Sequence, residues 1–123
     1  MEEKKVFQWD YFVNPQSQDG KYHLEILKKG NSQANGYCAY IHLPESHKLI
    51  GRHYEDTNCI LKIMGDKFAD RWRNNDILIF SHRNIIGFDT LLHPESIINN
   101  ISVVEVIGLL LSLLGDLINI NNL

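Results

Sequence analysis

The chain has 123 residues, 44% hydrophobic and 22% charged, which is enough for one domain with a core of its own. A formal net charge of −3 excludes the bulk basic footprint of a nucleic-acid binder, and the densest basic groups, at 28–29 and 71–73, are too short to track a phosphate backbone. Only two cysteines are present, Cys38 and Cys59, so a disulfide framework is excluded and free thiols in a reducing compartment are expected, with a single bridge left open.

The opening MEEKKVFQWD places acids before basics and has no apolar segment, so no signal peptide is expected. Aromatic and β-branched residues dominate 5–13, and Asn14-Pro15 through Asp19-Gly20 stop the run: strand, then turn. Over 21–29 Tyr22, Leu24 and Ile26 alternate with His23, Glu25 and Leu27, the period of a half-buried strand. A polar turn at 30–36 leads to a third strand at 37–43, ended by Pro44. The first third therefore reads as an antiparallel meander.

No sustained period runs through 44–58, which predicts a long loop with a helical turn near 45–48. Strand character returns at 59–64, and 71–76 reads as a strand end entering a turn. The apolar segments 77–80 and 85–88 form either one bent strand or a hairpin turned at Arg83-Asn84. Ser102 and Glu105 have the spacing of a capping box, which predicts a helix from there to about Ile118.

That helix has an apolar arc wider than an ordinary surface helix needs. Glu105, Gly108, Ser112 and Gly115 share one narrow stripe, and nearly everything else is Val, Ile or Leu. A second copy of the chain is the expected cover, with Val106, Leu109, Leu110, Leu113 and Leu114 as the dimer interface. A membrane span is the competing reading. Glu105 and Asp116 inside the segment, its shortness and the lack of a basic flank count against it.

Candidate chemistry concentrates in GYCAYIHLPESHKLIGRHYED, residues 36–56. His47, His53 and Asp56 carry metal-ligand atoms, but their spacing matches no compact zinc pattern. Glu55 and Asp56 beside Arg52 fit turn-stabilising ion pairs better than a catalytic acid pair. His82 and Asp89 fit a base and its orienter across a hairpin, yet no serine or cysteine sits in a nucleophile elbow. No dinucleotide or P-loop fingerprint occurs.

The order of short motifs resembles a family. Ala39-Tyr40-Ile41-His42-Leu43-Pro44, Glu45-Ser46-His47-Lys48-Leu49, Gly51, Tyr54 and Asp56 follow a polar hairpin; then come a strand with Gly65, Ile86-Gly87-Phe88-Asp89, His93 and a leucine-rich helix. This is similar to a family of small bacteriophage and prophage proteins carrying a GYV-x-(V/L)P-x-GHPL-x-G-x-x-YDD block, a VHGGLT strand, a W-x-GFDCAH segment and a C-terminal helix. The chain departs from that pattern. Ala39 stands for the first glycine, Ser46-His47-Lys48-Leu49 for GHPL, and Thr90-Leu91-Leu92-His93 for CAH, one place late. The resemblance implies an accessory protein of a phage or mobile element in bacterial cytoplasm.

The expected fold is α+β: a mostly antiparallel sheet of five to six strands, with a long C-terminal helix packed on one face, as a single domain over 1–123. The expected function, implied by that setting, is non-enzymatic: binding, and inhibiting or sequestering, a host factor such as a CRISPR or nucleotide-signalling component. His47, Arg52, His53, Tyr54, Glu55, Asp56, Arg71, Trp72 and Arg73 would form the partner-binding surface, without cofactor, metal, membrane or nucleic acid. The alternative is a small ligand- or nucleotide-binding protein or enzyme with a pocket at His47, Asp56, Asp89 and His93.

Overall fold

The strict alternation of Tyr22, Leu24 and Ile26 with His23, Glu25 and Leu27 sorts the second strand into an apolar and a polar face, and the sheet inherits both. A computed structural model describes residues 4–29, 36–50, 79–82, 84–89 and 102–122. Five strands lie among them: β1 (Lys4–Asn14), β2 (Asp19–Lys29), β3 (Gly36–His42), β4 (Ile79–His82) and β5 (Ile85–Asp89). They join in one antiparallel sheet in the order β1-β2-β3-β5-β4, and a single helix, α1 (Val103–Asn121), follows. The architecture is α+β.

The β1–β2 hairpin turns through 15–18, with Asn14 opposite Asp19. Gln18 and Gly20 both take the left-handed conformation, at φ 58° and 66°, and a side chain on Gly20 would also press into Val13. From the turn back to Phe7 the pairing is regular; between Lys5 and Phe7 it slips by one residue, a bulge at Val6. The segments 79–82 and 85–89 pair as a hairpin, which decides between the two readings left open for them.

At the centre of the sheet Gly87 faces Tyr40. A Cβ on Gly87 would lie 2.1 Å from the Ala39 carbonyl oxygen, so no larger residue fits without prising β3 from β5.

One face of the sheet carries Leu24, Ile26, Ala39, Ile41, Ile86 and Phe88, all fully buried, and α1 packs on it through Val106, Leu110, Leu113 and Leu117. Ser102 starts the helix as expected. Its hydroxyl oxygen accepts from the Glu105 amide and its hydroxyl lies 3.3 Å from the Glu105 carboxylate. The helix runs on to Asn121, past the expected end near Ile118. Its length and mean hydropathy of 2.0 match a membrane span by composition alone, a test that the core helix of a soluble protein also passes.

This packing corrects the expected dimer interface. Val106, Leu110, Leu113 and Leu114 lie in the chain's own core, so these four are covered by the sheet and not by a second copy, while Leu109 packs against the core and stays partly exposed. The exposed side of α1 is instead Val104, Glu105, Gly108, Leu111, Ser112, Gly115 and Asn119.

Candidate functional site

After β3 the chain crosses Leu43 and Pro44 and makes two consecutive turns. The His47 amide donates to the Pro44 carbonyl at 3.0 Å and the Ile50 amide to the His47 carbonyl at 3.1 Å. These turns stand where a helical turn near 45–48 is expected. They carry the His47 ring inward to 3% exposure, edge-on to the ring of Tyr22. Nε2 lies 2.9 Å from the Leu117 carbonyl oxygen and Nδ1 3.1 Å from the Leu49 amide. A carbonyl only accepts and an amide only donates, so the ring must be neutral with its proton on Nε2. Burial depresses its pKa to the same effect, against the pull of the Leu117 carbonyl. Alongside, the Lys48 amide donates to the Asn121 side-chain oxygen at 3.0 Å. His47 is thus a tie between the turn segment and the end of α1.

Tyr22, pressed against the same tie, is shielded enough that its hydroxyl pKa rises to about 12, mainly through desolvation.

The opposite face of the sheet is polar at the β1–β2–β3 end. Asp10 lies across from His23 in the β1–β2 register, and His23 lies across from His42 in the β2–β3 register. His23 Nδ1 is hydrogen-bonded to Asp10, and Nε2 lies 2.8 Å from the Glu25 carboxylate. Lys5 reaches Glu25 at 3.3 Å, and Lys21 stands 3.8 Å from Asp10. Two ionised carboxylates can only accept, so His23 donates from both nitrogens as an imidazolium. Its pKa is raised, first by the Asp10 hydrogen bond and, against partial burial, by Glu25. Asp10 is held below the usual carboxylate range chiefly by His23; at Glu25 burial pushes upward, and the His23 and Lys5 bonds overcome it.

His42 completes the group. Its ring lies 5.4 Å from that of His23, and burial, with the positive charges of His23 and Lys5, keeps it neutral against the pull of Glu25. Both rings border a cleft of about 580 Å³ between the start of β2 and the segment after β3, with Asp19, Lys21, Glu45 and Ser46 on its walls. A charged and a neutral imidazole side by side, walled by one lysine and two acids, can bind polar groups of either sign. Among the described residues no group of three or more His, Cys, Asp or Glu side chains is placed to hold a metal ion.

No family model matches the chain, and no solved structure matches it. Among curated proteins, cytochrome P450 71D180 of Origanum majorana and that of Thymus vulgaris are 32% identical to it over 79 residues. The match takes 50% of this chain and 16% of theirs, so the chain spans about a sixth of the length of the curated relatives it matches. A likeness over so small a part of those proteins establishes no family.

The residues singled out from the sequence fare unequally. His47 is buried, which removes it from a partner surface and from an open pocket. Asp89 lies across from Cys38, whose thiol donates to its carboxylate at 3.1 Å. Both are on the face turned away from the helix, so His47 and Asp89 occupy opposite sides of the sheet and share no pocket. Arg52, His53, Tyr54, Glu55, Asp56, Arg71, Trp72, Arg73 and His93 lie outside the described residues. The residues that do come together, Asp10, His23, Glu25 and His42, went unnoticed in the sequence. A signal existed: a turn centred between Gln16 and Ser17 pairs residues whose numbers sum to 33, which sets Asp10 against His23.

Proposed function

We propose that the protein is a non-enzymatic binding protein, an accessory of a phage or mobile element that inhibits or sequesters a host factor in the bacterial cytoplasm. What supports binding over catalysis is the saturation of two of the histidines among the described residues. His23 has both ring nitrogens on carboxylates, and His47 has both on the backbone, so neither can move a proton without giving up a bond. The docking surface is the polar sheet face around Lys21, His23, His42 and Glu45; Arg52, His53, Tyr54, Glu55, Asp56, Arg71, Trp72 and Arg73, outside the described residues, are proposed as further partner contacts from the sequence alone. The whole sheet counts five to six strands, the protein works without cofactor or metal, and it assembles as a homodimer. The phage setting rests on the motif resemblance, and a CRISPR or nucleotide-signalling component is the kind of target it implies.

The test is crosslinking and mass spectrometry on tagged protein expressed in bacteria, wild type beside the charge-exchanged Lys21→Glu/Glu45→Lys. A host complex held by the wild type and lost by a folded variant supports this reading. Equal retention by both sinks it.

A second reading has its own observation, the cleft of about 580 Å³ floored by the His23–His42 pair. There the cleft takes a small polar ligand or nucleotide, and a ligand bound only by the folded state raises the melting temperature. A nucleotide panel giving no shift in the wild type, or the same shift in His42→Ala, counts against it.

A further inference from the structure

Of the five large hydrophobic side chains most exposed to solvent among the described residues, three lie on one strand: Val6, Trp9 and Val13, at 37%, 44% and 52% exposure. That strand is β1, which ends the sheet and pairs with β2 alone among the described residues. Edge strands of natural proteins are normally short or interrupted by inward charges and prolines, because an open edge recruits further strands. β1 runs for 11 residues, and its bulge at Val6 leaves everything from Phe7 onward regular.

We propose that β1 pairs with the β1 of a second copy, antiparallel, about a two-fold axis at Trp9. The sequence of the strand is self-complementary in that register. Phe7 of one copy faces Tyr11 of the other, Gln8 faces Asp10, and Trp9 faces Trp9. Phe7 and Tyr11 already pack against the core on the helix side, and the Trp9 ring lies 5.6 Å from that of Tyr11. Pairing extends this aromatic row across the axis, and such cross-strand aromatic pairs stabilise a sheet. On the other face the Gln8 amide donates to the Asp10 carboxylate. The neighbouring registers are poorer. An axis at Asp10 sets like charges opposite each other, an axis at Tyr11 sets the Asp10 carboxylate on Phe12, and an axis at Phe7 or Gln8 brings the bulge at Val6 nearer to the axis than the Trp9 register does. The occupant of the edge is therefore the chain itself. This deepens the homodimer element of the proposed function and leaves the host partner untouched, since that is read out at Lys21 and Glu45.

Light scattering coupled to gel filtration, across protein concentrations, is the test, with wild type, Trp9→Glu and Trp9→Ala compared. Trp9 is exposed, so both variants keep the wild-type circular dichroism. The wild type dimerises, and Trp9→Glu raises the dissociation constant about tenfold or more. Oxidative crosslinking then fixes the register. Trp9→Cys forms a covalent dimer by itself, while Gln8→Cys requires a partner carrying Asp10→Cys, with oxidised wild type as the background from Cys38 and Cys59. A wild-type monomer at every concentration, a dimer unaffected by Trp9→Glu, or crosslinking at Tyr11→Cys in place of Trp9→Cys overturns the proposal.

Discussion

His47 and Leu117, 70 residues apart in the chain, are joined by a buried hydrogen bond of 2.9 Å from the imidazole to the backbone carbonyl. Two segments separated by most of the protein are thereby held in one place, and the same ring accepts the Leu49 amide. Removing the ring leaves that buried amide without its acceptor and opens a gap beside Tyr22. His47→Ala is therefore expected to cost about 2–3 kcal/mol. Urea denaturation checks this, and a loss below about 0.5 kcal/mol shows that the tie carries no stability.

The same bonds dictate a pH dependence. The pKa of folded His47 lies below its ordinary value of 6.5, so the unfolded chain binds the extra proton first. Its contribution is complete above pH 6.5 and is lost as the pH falls below that. His42 is shifted the same way by burial, so it adds to the loss. His23 runs opposite: its folded pKa is raised, so its contribution is present below 6.5 and is lost as the pH rises through the folded value. Stability measured in denaturant should fall from pH 7 to pH 5, and less steeply in His47→Ala. An unchanged slope in that variant removes His47 from the linkage.

Much of the fold was legible because its signals are local. Alternation gave β2, Pro44 and the paired turn residues bounded the strands, and the Ser102–Glu105 spacing gave the helix start to the residue. The site was less legible because its chemistry depends on register and depth. A histidine in a polar stretch bounded by proline and glycine reads as exposed, yet the turns at 44–50 bury His47, and burial is a property of what packs on a segment. Likewise Asp10 and Glu25 read as surface charges on separate elements until the hairpin register brings both to His23.

Gly87 shows how a motif residue can be architectural. The family-like Ile86-Gly87-Phe88-Asp89 run suggests a site, but the glycine is required by the close approach of the Ala39 carbonyl, 2.1 Å from where a Cβ would sit. Gly87→Ala is expected to destabilise by about 1–3 kcal/mol, through separation of β3 and β5. Hydrogen exchange should show faster exchange at amides of Cys38 to His42. A melting temperature equal to the wild type refutes this.

The terminal helix offers the sharpest contrast between neighbouring positions. Leu110 is fully buried under the sheet, whereas Leu111 next to it and Val104 two turns back are 40% and 72% exposed. Leu110→Ala should therefore cost about 2–5 kcal/mol, because it empties a site in the core. Val104→Lys faces water and should stay within about 0.5 kcal/mol of the wild type. Thermal melts of the two variants, alongside the wild type at equal concentration, decide which surface of α1 is internal. If Val104→Lys proves the more damaging, the stripe through Val104, Gly108 and Leu111 is itself covered in solution. If Leu110→Ala proves the more damaging, the apolar arc is accounted for by the protein's own sheet, and association must be sought elsewhere, at the edge strand.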